Sequence, residues 1–124
     1  MFPLIRALGV VLVLGGLAHS AGVARLYATA GVPDANRVLL DVWIAQAQLL
    51  SGALYIAAAR SARAGREWRG LATFAALTII GFSVAMLPVL IARAPVVFRV
   101  PPIAYSLASL AILWRASFRI SAGG

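Results

Sequence analysis

The sequence contains no cysteine and no lysine, a single histidine, and only three carboxylates in 124 residues. Without thiols there are no disulfides, no Cys-ligated zinc and no iron–sulfur clusters. His19, Asp34, Asp41 and Glu67 are the whole supply of ordinary acid–base groups near neutral pH. Catalysis needs positioned acids, bases or nucleophiles, so the chain is expected not to be an enzyme. Polar residues are scarce in general. Charged residues make up 11% and hydrophobic residues 63%, against about 25% and 45–50% in soluble domains.

What is present is apolar sequence punctuated by arginine. The mean hydropathy is +0.98, and four runs come close to the roughly 20 apolar residues that cross a bilayer: residues 4–24, 38–59, 71–92 and 102–118. With no water in the hydrocarbon, spanning segments must satisfy their own backbone hydrogen bonds and are therefore helices. The first run, which is followed by no well-placed cleavage site, is read as an uncleaved span. Pro101–Pro102 opens the fourth, where proline suits a first turn. The expected fold is a single all-α transmembrane domain spanning residues 1–124. Connections of about 13, 11 and 9 residues make sequential neighbours antiparallel, giving a four-helix up-down-up-down bundle.

All 11 basic residues are Arg and flank the apolar runs. Net charge +8 is therefore attributed to topology, and no nucleic-acid partner is expected. One side carries seven: Arg6, Arg60, Arg63, Arg66, Arg69, Arg115 and Arg119. The other carries Arg25, Arg37, Arg93 and Arg99. The positive-inside rule makes the seven-Arg side cytoplasmic, with both termini there, in a bacterial inner membrane. Trp68 and Trp114 then lie at the inner interface and Tyr27, Trp43, Phe98 and Tyr105 at the outer one, as aromatic belts require. Arg60, Arg63, Arg66, Trp68 and Arg69 form a dense loop suited to anionic lipid or to an acidic partner surface.

Polar groups inside the spans are the functional pointers, because each is costly without a partner. On the second helix Asp41, Ala45, Gln48, Gly52, Tyr55 and Ala59 recur at spacings of four and three, forming one small and polar seam. Counting depth at 1.5 Å per residue puts His19 of the first helix near Asp41 and Gln48 of the antiparallel second. His19, Asp41, Gln48 and Tyr55 are expected to make polar contacts between helices. Gly15, Ala18, Gly22, Gly52, Gly81, Ala85, Ala104 and Ala108 are expected to be small-residue packing points.

Several resemblances rest on short stretches. Gly15-x-x-x-His19 resembles the small-x-x-x-His pattern of bacterial antenna polypeptides, which implies axial ligation of a bacteriochlorophyll or haem metal by His19. Gly22-Val23-Ala24-Arg25-Leu26-Tyr27 is similar to the first-helix end of the small four-helix fluoride channels. Leu26 interrupts the Arg-Tyr pair, and the Asn-containing second-helix motif is absent. Small multidrug-resistance transporters need a first-helix Glu that this chain lacks. With its Gly16-Leu17-x-His19 element the whole chain looks like small four-span bacterial membrane proteins of unassigned activity.

The leading expectation is a structural accessory subunit that packs against other subunits of a larger membrane complex, photosynthetic or respiratory. The alternatives are a tetrapyrrole-, lipid- or quinone-binding protein using His19, and a small transporter or channel.

Overall fold

Two glycines with positive φ, Gly31 (+87°) and Gly65 (+67°), turn the chain between its first three helices. Such backbone angles are disfavoured for residues with a Cβ. In the computed structural model, which describes residues 1–93 and 95–118, these helices are α1 (Phe2–Ala30), α2 (Ala35–Arg63) and α3 (Arg69–Arg93). A 3-10 turn, Val96–Arg99, leads into α4 (Val100–Phe118). No strand occurs among the described residues. All four helices are long and apolar enough to cross a membrane, as in a multi-pass membrane protein. Arg119 lies outside the described residues.

The helices run further than the apolar runs do. Asp34 caps α2, its Oδ1 accepting the Arg37 backbone N–H at 3.1 Å, and this satisfies one of the orphan donors of a helix start. The 60–70 stretch is mostly helix. Arg60 and Arg63 close α2, and Arg69 opens α3 with its N–H bonded to Glu67 Oε1 at 2.7 Å. Trp68 is half-buried. It packs edge-on against Phe2, ring centroids 5.3 Å apart, and seals one end of the core. Arg60, Arg63 and Arg66 are exposed and Arg69 is half-buried.

The α1–α2 pair is the most intimate in the molecule. Gly9, Gly16 and Gly52 bring the two backbones together, and a Cβ on Gly52 would lie 2.7 Å from the Gly9 carbonyl oxygen. Close approach of this kind is what holds helices together where lipid removes the hydrophobic drive between them. Gly9 and Gly16 are seven residues apart, almost two full turns, so they share one face. Gly15 lies beside this seam, in ordinary contact with Gln48 and Tyr105.

Of the other small residues expected to pack, Gly22 and Gly81 would meet nothing within 4 Å, and Ala18, Ala85 and Ala104 are exposed. Gly22, six residues after Gly16, lies about 120° round α1 from it and is exposed. Ala108 packs against the core, half-buried.

Burial is uneven along the bundle axis. Ile5, Leu12, Tyr55, Ala75, Ile79 and Ile112, drawn from all four helices, form a continuous core in the half nearest the α2–α3 turn. In that half Tyr55 does not contact α1 through its hydroxyl. It donates to Ser109 Oγ at 2.7 Å, tying α2 to α4. Losing that buried bond strands one polar group, at a cost of about 1–2 kcal/mol. Tyr55→Phe is therefore expected to lower the thermal midpoint in detergent. The double variant Tyr55→Phe/Ser109→Ala is expected to recover part of the loss, because no hydroxyl is then left unpaired. A double variant less stable than Tyr55→Phe alone would contradict this.

Outward faces carry large apolar side chains. Leu14, Phe74, Leu77, Val84 and Leu107 are each more than half exposed. Hydroxyls on these faces are satisfied within their own helices. Ser20 Oγ donates to the Gly16 carbonyl (2.9 Å) and Thr78 Oγ1 to that of Phe74 (2.8 Å), which removes them as functional groups.

Candidate functional site

At the opposite end of the bundle, nearest the α1–α2 and α3–α4 connections, the four helices enclose a cavity of about 1030 Å³ in place of a core. Its volume matches the upper range of small-molecule sites, roughly 300–1,000 Å³. One wall, from α1 and α2, carries His19, Arg37, Asp41 and Gln48, interspersed with Leu40 and Ile44. The facing wall, from α3, is mainly apolar, with Ile79, Phe82, Met86 and Leu90 alongside Ser83. Tyr105 of α4 lines it beside Gln48. Towards the α2–α3 turn it is closed by the packed core and by the Tyr55–Ser109 bond.

Charge is confined to the mouth. Asp41 is 4% exposed and gathers three groups. The Tyr27 hydroxyl donates to its Oδ2, Arg37 Nε donates to the same oxygen at 3.2 Å, and His19 Nε2 lies 3.7 Å from Oδ1. Arg37 stands one turn after Asp34's cap and one turn before Asp41, so α2's geometry delivers it to the carboxylate. The cluster joins α1 to α2 at the mouth through the Tyr27 hydroxyl. At 3.7 Å His19 is beyond hydrogen-bond reach, and Nε2 has no bonded partner among the described residues.

About 10 Å deeper along α2, seven residues on at 1.5 Å each, sits Gln48. Its Oε1 is shielded and makes no hydrogen bond among the described residues. The Gln48 carboxamide and the Tyr105 hydroxyl both approach within 3.7 Å of one point beside Gly15. Ser51 Oγ, deeper still, is also buried without a partner. A buried polar atom without a partner is costly and calls for an explanation. Two of these three belong to side chains that line the cavity.

This arrangement does not suit a tetrapyrrole. The small residue one turn before His19 would have to leave a flat open surface, yet the space beside Gly15 is filled by Gln48 and Tyr105. His19 Nε2, the natural ligating atom, is buried against Asp41. Met86 lines the same cavity on α3. No cluster of three or more His, Asp or Glu side chains that could hold a metal ion occurs among the described residues.

Depth counting placed His19 beside Asp41 in the sequence, and the structure brings the two together. It did not anticipate the role of Tyr27, read as an interfacial anchor. Tyr27 lies two turns beyond His19, which was the available signal that both could address one carboxylate. Comparison with known protein families, with curated proteins and with solved structures finds no match to this chain.

Proposed function

We propose that the protein is a multi-pass protein of a bacterial cytoplasmic membrane that takes a small amphipathic molecule into this cavity from the outer face. The observation that carries the reading is the cavity closed at one end, with its charged and amide groups on α1 and α2 and a mainly apolar wall on α3. Such a space suits a molecule with one polar and one apolar edge, and the closed end argues for reception over conduction. The orientation follows from the bias of arginine towards the α2–α3 turn, whose exposed Arg60, Arg63 and Arg66 are proposed to meet anionic lipid. No catalytic step is assigned, since Asp41 is already held by Tyr27 and Arg37.

The test is native mass spectrometry of protein purified in mild detergent from its own membranes. The natural chain is expected to carry a small-molecule adduct that Ser83→Trp, which fills the cavity, does not. Identical bare spectra from both would end this reading.

A second reading, an accessory subunit of a larger complex, is favoured by Gly22, Gly81 and Ala85, small residues that face away from the chain's own helices. Small residues on a lipid-facing surface admit close approach of another helix. Cysteine placed at Ala85 is expected to cross-link to a different membrane subunit in native membranes. Recovery of uncross-linked chain alone would contradict it.

A further inference from the structure

We infer that the cavity's ligand is a single-chain lipid whose head is small, uncharged and able to both donate and accept hydrogen bonds, its chain leaving through a groove between α3 and α4. The inference rests on the ligand-binding reading above.

A second depression, of about 160 Å³, lies on the outside of α3 and α4. Its walls are mostly apolar, with Val84 and Leu87 on one helix and Ile103 and Leu107 on the other. Val84 and Leu107 are 64% and 63% exposed, so the groove faces the surroundings of the bundle. Ser83 and Pro102 line both spaces. The groove thus abuts the cavity from outside, where an apolar chain can run from the interior into lipid. A chain in the groove would gain van der Waals contacts along its length, the attraction that remains where lipid removes the hydrophobic drive.

The head is constrained by what lies inside. Asp34, Arg37 and Asp41 sit at the mouth, where the Asp34 carboxylate caps the Arg37 backbone N–H and the Arg37 side chain pairs with Asp41. Ser83, which the cavity shares with the groove, and Gln48 and Tyr105 are uncharged polar side chains of its lining, with His19 on α1 beyond them. A phosphate or carboxylate there would lose its hydration while the Arg37 guanidinium stays at the mouth on Asp41, leaving only the His19 imidazole as a possible cation, which is costly. A carboxamide offers one acceptor oxygen and two N–H donors, and a phenol offers one of each. The bare Oε1 of Gln48 asks for a donor, and the Tyr105 hydroxyl, which can give or take a hydrogen bond, lines the same space beside it. Quinols with a prenyl tail and monoacylglycerols share this chemistry.

The test uses purified protein in a nonionic detergent, titrated with decylubiquinol, with mono-olein and with the anionic oleoyl-lysophosphatidylglycerol, and read by native mass spectrometry. One or both neutral probes are expected to bind saturably, one per chain, ahead of the anionic one; the tighter of the two identifies the source of the head group. Gln48→Leu is expected to weaken binding about tenfold, the worth of a hydrogen bond of this kind. Ser106→Trp blocks only the groove and is expected to erase the advantage of mono-olein over the short-chain monobutyrin while leaving the thermal midpoint near that of the natural chain. Preference for the anionic probe, or a chain-length advantage untouched by Ser106→Trp, overturns the inference and leaves the cavity reading standing. If no probe binds while the protein still carries a small molecule from its own membrane, the inference alone fails. If neither is seen, both fail.

Discussion

Replacing Gly52 with leucine is expected to abolish the folded bundle, the largest effect of any single substitution considered. A Cβ at this position would sit 2.7 Å from the Gly9 carbonyl oxygen and 2.8 Å from both the Val13 nitrogen and Val13 Cγ2. The first two are backbone atoms of the facing helix, so no side-chain rotation relieves the clash. The remaining leucine atoms would need α1 and α2 to separate along the tightest seam in the molecule. Overpacking costs about 1–3 kcal/mol where side chains can shift, and more where they cannot. Gly9→Leu is expected to behave likewise, since its Cβ would meet the Gly52 carbonyl oxygen and the Ile56 side chain, both at 2.9 Å. Gly22→Leu and Gly81→Leu supply the contrast: with nothing within 4 Å they are expected to leave the thermal midpoint and gel-filtration profile unchanged. If Gly52→Leu elutes and melts as the natural chain does, the α1–α2 crossing is wrong.

Asp41→Ala is expected to cost about 2–3 kcal/mol, because hydrogen bonds to a charged acceptor are worth about 1.5–3 kcal/mol each and the one from Tyr27 ties α1 to α2. The partners do not share this equally. The Arg37 side chain is 58% exposed, and an ion pair so open to screening contributes little. The Tyr27 hydroxyl reaches the buried carboxylate from the other helix and carries the larger part. Tyr27→Phe is therefore expected to destabilise more than Arg37→Gln in thermal unfolding monitored in detergent. The order of those two midpoints decides the matter. A larger loss for Arg37→Gln would mean that the cluster is an ion pair first and an interhelical hydrogen bond second.

The four helices were legible in the sequence because the hydrocarbon admits few structures, and an apolar run of sufficient length has little choice but to be a helix. Their ends were not. Hydropathy reports the stretch in contact with lipid, whereas α2 begins at the Asp34 cap and continues through Arg60 to Arg63. Polar residues extend a helix past the apolar region at no cost in hydrogen bonding. His19 and Asp41 could be brought together by counting depth, since antiparallel neighbours leave one solution. Choosing among the glycines needed helix rotation as well as depth. The heptad interval from Gly9 to Gly16 was visible, but a small residue reads the same whether it faces a helix or lipid, as Gly22 does. The Tyr55–Ser109 bond depends on the rotation of α4, which its evenly spaced alanines and serines do not reveal. The cavity was the least legible feature. It is a deficit of packing between helix halves, and no residue type marks a deficit.

The asymmetry between a packed half and a hollow half is the foundation of the functional reading, and the absence of native cysteine makes it directly measurable. Single cysteines at Phe82, on the cavity wall, and at Ala75, in the packed half, are introduced into otherwise natural protein in membranes. A membrane-impermeant methanethiosulfonate reagent is then applied from each side. The account predicts rapid modification of the Phe82→Cys thiol from the outer side alone and none of the Ala75→Cys thiol from either. Equal modification of the two, or modification of Phe82→Cys only from the inner side, would contradict it.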